Sequence, residues 1–265
     1  VLKRSGGRTG AAEGPDNLRP ALARLAYHLD RPLYDAGNVI CEEDKLDLLT
    51  LEQSNMIFKL LNKGHFPLIL GGGQEIAYGS YWGLYLHLTP FGGNADIGII
   101  NIDAHFDLSQ ADEPGSDTPF LQIAKSCRNS GSSFHYFCLG INENSNTRAL
   151  FERADDLGVE YLLDEELAGW ELQKAEDRLW PFIRKNGSIY LSIHLDALPA
   201  SVAPGVSSPA GRGLPLEVVE YLVKVIKSMS EDKLKIADIT EFNPRYDIDG
   251  RTALTAARLC HLLSR

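Results

Sequence analysis

Ile97-Gly-Ile-Ile-Asn-Ile-Asp103-Ala-His105-Phe-Asp107 is the stretch on which the reading of this chain turns. Its first four residues, Ile97-Gly-Ile-Ile100, are an apolar and mostly β-branched run, and Ile97–Ile102 reads as a buried strand. Side chains on an extended backbone repeat their direction every two residues, so Asp103, His105 and Asp107 leave the strand on one face. Two carboxylates and an imidazole converging at a strand end are ligands suited to a divalent metal. The same residues could instead cap a surface turn. The metal reading therefore requires a second ligand cluster elsewhere.

His194-Leu-Asp196 supplies one, with the same spacing, at the end of a strand-like run Ile189–Leu195. Its alternative is a buried polar pair satisfied by hydrogen bonds. Further strand candidates are Pro32–Ala36, Phe66–Leu70, Phe134–Leu139, Val159–Leu162 and Leu234–Thr240, which with the two above make seven. Helical spacing runs from Glu42 to Lys63, with Gly64 as its stop, and recurs over Ala149–Leu157, Leu172–Lys185, Leu216–Met229 and Thr252–Leu263. Strands alternating with helices predict an α/β fold with a mainly parallel sheet covered on both faces. No linker or internal repeat divides the chain, so residues 1–265 are expected to form one domain. The least regular stretch, Gln110–Ser116, is the candidate for a mobile loop at the site.

Open α/β sheets bind ligands beyond the carboxyl ends of their strands. Four such ends carry suggestive residues: Gly71-Gly-Gly-Gln74-Glu75, Asp103 to Asp107, His194 to Asp196, and Glu241-Phe-Asn-Pro244. The glycine run lacks the spacing of a phosphate loop, and reads instead as a sharp turn where backbone approaches the site. Glu241 could serve the site or cap a turn. No G-x-S-x-G elbow and no cysteine at these ends supports nucleophilic catalysis.

With 265 residues, 44% hydrophobic and 23% charged, the chain has the composition of a globular protein with a sizeable core. A formal net charge of −10 argues against nucleic acid or an anionic membrane as partner, because phosphate binding needs a basic face. It suits a cation or a cationic substrate. Cys41, Cys127, Cys138 and Cys260 form no C-x-x-C and read as reduced thiols. No stretch has the length of a membrane span and no signal peptide is visible, so the expected compartment is the cytoplasm.

Leu70-Gly-Gly-Gly-Gln74-Glu-Ile-Ala, Asn101-Ile-Asp103-Ala-His105-Phe-Asp107-Leu and Ser192-Ile-His194-Leu-Asp196 together resemble the three signatures of the arginase/agmatinase (ureohydrolase) family. The third continues through Pro204-Gly205 to Gly213. The chain is most similar to the formimidoylglutamase branch, through Gly7–Ala11, Leu150–Asp155, Ala203–Ser207 and Glu241–Pro244. The resemblance implies a three-layer α/β/α fold around an eight-stranded parallel sheet, whose first strand is then expected before Val1. It also implies two Mn²⁺ ions on six protein ligands, at positions matching Gln74, Asp103, His105, Asp107, His194 and Asp196 here. Two of these depart from the family, which has His at the Gln74 position and a bridging Asp at the His194 position. Ser109 stands where the branch usually has Arg, and Thr118-Pro119-Phe120 where arginases carry a catalytic His.

What the resemblance implies is hydrolysis of a formimidoyl or guanidino C–N bond, with formimidoyl-L-glutamate, an intermediate of histidine degradation, as the expected substrate. Glu241 would pair with the cationic nitrogens, and Asp107 would be both ligand and proton acceptor. The altered ligands predict one tightly bound Mn²⁺ or none. The other reading is a protein of this fold that has lost its metals and serves a binding or regulatory role. A small amidine or guanidine is the expected partner in the first reading, and a homo-oligomer is compatible with both.

Overall fold

The computed structural model describes residues 8–30, 32–41, 45–167 and 172–265. In chain order the elements are α1 (Gly14–Ala23), α2 (Leu46–Asn62), β1 (Leu68–Leu70), α3 (Ile76–Leu88), β2 (Ile97–Ile102), α4 (Pro119–Ser130), β3 (His135–Ile141), α5 (Arg148–Asp156), β4 (Glu160–Leu163), α6 (Leu172–Lys185), β5 (Ser188–His194), α7 (Leu216–Ser230), β6 (Leu234–Thr240) and α8 (Arg251–Ser264). The six strands form one sheet in the order β1-β6-β5-β2-β3-β4, and every pairing is parallel. The expected α/β class is therefore observed.

Period two sorts the strand residues between two apolar layers. Ile100, Ile102, Phe137, Leu139, Leu191 and Ile193 pack with residues of α1, α6, α7 and α8. Ile97, Ile99, Tyr136, Cys138, Tyr190 and Ile236 pack on the other face with α2, α3, α4 and α5. β2 and β5 are buried along their whole length, which is why both read as nearly continuous apolar runs. From β2 the chain moves outward to β3 and β4. It then returns to β5, beside β2, and continues the other way to β6 and β1. The carboxyl ends of β2 and β5 thus flank the point where strand order reverses.

The strand expected at Pro32–Ala36 is not one. This segment carries no ladder pairing, and Leu33 and Tyr34 are 57% and 75% exposed. Its anchor is polar: Arg19 of α1 donates to both Asp35 oxygens at 2.7 and 3.0 Å, and Asn38 donates to Asp16 at 2.9 Å. A β-like pattern without a sheet edge to accept it stays outside the ladder. The expected Gly64 stop is present, with φ +76°.

No amphipathic period marks α3, Ile-Ala-Tyr-Gly-Ser-Tyr-Trp-Gly-Leu-Tyr-Leu-His-Leu, because it is apolar nearly all round and wedged between sheet and α2. Gly79 and Gly83 make that wedge possible. A Cβ on Gly79 would lie 2.6 Å from Gln53 Oε1, and one on Gly83 would lie 2.6 Å from the Ile57 side chain. None of the helices among the described residues is long and apolar enough to cross a membrane.

Candidate metal centre

Asp103, His105 and Asp107 follow β2, while His194 ends β5 and Asp196 lies just beyond it. Their ligand atoms form two groups, Asp103 with Asp107 and His194, and Asp103 with His105 and Asp196. Within each group all ligand atoms lie within 4.8 Å of one another, and Asp103 belongs to both. His105 Nδ1 is 3.5 Å from Asp103 Oδ1 and 3.4 Å from Asp196 Oδ2. His194 Nδ1 is 3.7 Å from Asp103 Oδ1 and touches Asp196 Oδ1. The two short signatures, far apart in sequence, therefore meet at one place on the sheet edge.

The residues present fit a divalent cation. Asp107 Oδ2 is buried without a hydrogen-bond partner, and His194 Nδ1 and Asp196 Oδ1 are buried with only each other as partner. Buried polar atoms are rarely left so, and atoms of this kind converging from separate elements suit coordination. Burial and then the Asp103 charge push the Asp107 carboxyl well above the ordinary range. Burial disfavours a charged His105 or His194, yet the neighbouring Asp103 and Asp196 charges outweigh it and raise both imidazoles. Burial also opposes ionisation of Asp196, but the two imidazoles hold its carboxyl below the usual value. A bound cation would replace the imidazolium charges in balancing these carboxylates.

The backbone around the centre is strained and held. Asp107 and Glu241 adopt left-handed φ values of 50° and 66°, uncommon for residues with a side chain. Asn101 Nδ2 donates to Asp103 Oδ2 at 2.9 Å, and the His105 amide donates to Asp103 Oδ1 at 2.9 Å. Asn146, after β3, stitches the loop in place. Its amide donates to Ala104 O and Asn142 O at 2.9 and 2.8 Å, and its oxygen accepts from Phe106 N at 3.1 Å. Arg153 of α5 donates to Leu108 O at 2.7 Å. The loop Gln110–Ser116 is exposed through Pro114 and closed at its base by Ser109 N donating to Asp117 O at 2.8 Å.

Gln74 and Glu241 come to the same rim from β1 and β6. Gln74 is fully buried, its amide donating to Ser192 Oγ at 2.9 Å and its carbonyl accepting from Thr240. Both ends of this side chain are thus committed to protein groups. Glu241 accepts from Gln74 N at 2.9 Å and from the Ser207 hydroxyl, and burial raises its carboxyl. Gly73 shows the expected close approach, since a Cβ there would lie 2.3 Å from Glu75 Oε2 and 2.9 Å from Glu241 Oε1. Glu75, the last residue of that glycine-rich strand end, faces Glu241 here. Burial and then the facing Glu241 push its carboxyl up to about 7.

Behind the centre, Tyr190 donates to Asp238, a fully buried carboxyl that burial raises to about 6. Asn101, Ser192, Asp238 and Thr240 are absent from the sequence candidates. Their signal is visible afterwards: each is polar, in an apolar strand, and in phase with the ligands on the α3 side.

Residues 2–264 match the profile of the arginase family. This chain belongs to that family. The formimidoylglutamase of Aeromonas salmonicida (strain A449) is 46% identical over 265 residues, spanning 100% of this chain and 83% of that protein. That of Aeromonas hydrophila is 48% identical over 263 residues, spanning 99% and 82%. Among solved structures, Bacillus subtilis arginase superposes with a TM-score of 0.84 at 21% identity, covering 97% of this chain and 93% of its own. Trypanosoma cruzi formiminoglutamase with Mn²⁺ superposes with a TM-score of 0.83 at 24% identity, covering 98% and 87%. At these identities the structural likeness is one of fold.

Proposed function

We propose that this chain hydrolyses the formimidoyl C–N bond of formimidoyl-L-glutamate, giving glutamate and formamide. The observation that carries this reading is the pair of three-ligand groups sharing Asp103, with Glu241 on the same rim. The relatives named formimidoylglutamase, 46% and 48% identical over nearly the whole chain, support the choice of substrate. Asp103, His105 and Asp196 are the residues that would hold a divalent ion most firmly, with Asp107 and His194 beside them. Such an ion acidifies water and thereby supplies a nucleophile at neutral pH.

The protein's own groups do the rest. Glu241, fixed by Gln74 N and Ser207, places a negative charge where an amidinium needs one, a charge-assisted contact that orients the carbon for attack. Asp107 has a buried Oδ2 without a hydrogen-bond partner beside the centre, so its ionised carboxylate would be placed to accept a proton released there. The test is release of glutamate from formimidoyl-L-glutamate by Mn²⁺-loaded protein, with Asp103→Asn as control. Glutamate release lost in that variant is the expected result. A rate equal in the two proteins would overturn the proposal.

A further inference from the structure

Beside His105 lies a cavity of about 350 Å³, a volume that suits a small amino acid. Its walls include Asn142, Asn144, Ser145, Ser208 and Arg212, and Arg212 is the only Lys or Arg among its lining residues. On the centre side stand Asp103, Asp107, Asp196 and Glu241, in a chain of net charge −10. Among the residues that line the cavity, Arg212 supplies the permanent positive charge that a ligand carboxylate needs.

Arg212 is built at a set distance from the centre. The segment that carries it is pinned to the turn after Asp196: Ala200 N donates to Ala210 O at 2.9 Å and Leu214 N donates to Ala197 O at 2.6 Å. Gly213 has φ +63°, and a Cβ on it would lie 2.5 Å from the Leu198 carbonyl carbon, so the chain passes flush against that turn. The opposite wall is tied to the β2 loop by Asn142 N donating to Ala104 O at 3.0 Å.

The guanidinium is held but not locked. Arg212 Nη1 lies 3.0 Å from Glu165 Oε1, with the two side chains 47% and 74% exposed. An exposed pair of this kind is weak and easily exchanged, whereas a planar guanidinium can grip a ligand carboxylate through two parallel hydrogen bonds. We infer that Arg212 is a specificity-determining residue that leaves Glu165 to bind a carboxylate of the substrate's amino-acid portion. The inference rests on the amidine-hydrolase reading for its substrate, and it deepens that reading by naming what the cavity takes.

Partner exchange makes the two halves of the salt bridge behave oppositely. L-Glutamate is titrated calorimetrically into Mn²⁺-loaded wild type, Arg212→Gln and Glu165→Gln. Hydrolysis of formimidoyl-L-glutamate and of N-propylformamidine, which has no carboxylate, is measured alongside. Loss of Arg212 should weaken glutamate binding roughly 10- to 100-fold, the range for a hydrogen bond to a charged group. Loss of Glu165 should tighten it, and any turnover of N-propylformamidine should not respond to either change. No glutamate binding by wild type, or equal weakening in both variants, overturns the inference. Opposite shifts in affinity with neither amidine hydrolysed would uphold the carboxylate site and overturn the hydrolase reading instead.

Discussion

The side-chain amide of Gln74 donates to Ser192 at 2.9 Å, so the residue at the family's histidine position is turned into the hydrogen-bond network behind the centre. Its carbonyl is engaged by Thr240. Amide oxygen is also a weak neutral donor compared with imidazole, and the His194 nitrogen cannot bridge two ions as a carboxylate can. The group of Asp103, Asp107 and His194 is therefore the weaker one, and Asp103, His105 and Asp196 the stronger. Three carboxylates also balance two divalent charges less well than four. One tightly bound Mn²⁺ per chain is expected by elemental analysis, and changing Gln74→His and His194→Asp together should raise occupancy toward two and speed turnover. Two fully occupied positions in the unmodified protein, seen by anomalous scattering, would refute this.

Glu241 is expected to act on the substrate rather than on the metal. Its carboxylate already accepts from Gln74 N and Ser207, and it lies outside both ligand groups. Glu241→Gln keeps the shape and removes the charge. The expected loss in kcat/KM is roughly 10- to 100-fold, matching a charge-assisted hydrogen bond, with Mn²⁺ content unchanged. Metal lost from the variant would reassign Glu241 to the centre.

Much of this was legible in the sequence because buried parallel strands leave a strong mark. Ile97–Ile102 and Leu234–Thr240 appear as strands with the expected bounds, and the ligand atoms of Asp103, His105, Asp107, His194 and Asp196 do lie together, although the chain leaves the extended conformation after Ile102 and Asp107 has a left-handed φ. Pro32–Ala36 failed because a strand needs an edge to pair with, and local pattern does not reveal one. α3 stayed hidden because a helix apolar on all sides carries no period. Asn146 was out of reach for another reason. Its partners Ala104 and Phe106 are some forty residues away, and only the fold makes them neighbours.

Asp238 predicts a pH-dependent stability. Burial raises its carboxyl from 3.8 to about 6, so the folded protein holds this proton more tightly than the unfolded chain. The stabilisation is complete below the unfolded value near 3.8 and is lost as pH rises through about 6. The loss is on the order of 3 kcal/mol at neutral pH. Asp238→Asn has no such proton, so its stability relative to wild type should climb between pH 4 and 7 and then level off. Urea unfolding of both proteins across that range measures it. A pH-independent difference would show that Asp238 does not titrate in this window.

The last prediction concerns Asn146, which holds the ligand loop without being a ligand. It makes three hydrogen bonds to main-chain atoms of Ala104, Phe106 and Asn142, and the residue is only 8% exposed. Asn146→Ala leaves the Phe106 amide without its acceptor and removes two donors, in the middle of the segment that carries Asp103, His105 and Asp107. Unsatisfied buried groups cost about 1–3 kcal/mol each, so a stability loss of roughly 2–4 kcal/mol is expected in urea unfolding. Asn146→Asp keeps the acceptor for Phe106 and should lose less. Position also matters: ligands released from a set geometry bind metal more weakly, and a roughly 10-fold weaker Mn²⁺ affinity is expected for the alanine variant. Destabilisation with unchanged Mn²⁺ affinity would leave Asn146 a structural residue and would remove it from the support of the centre.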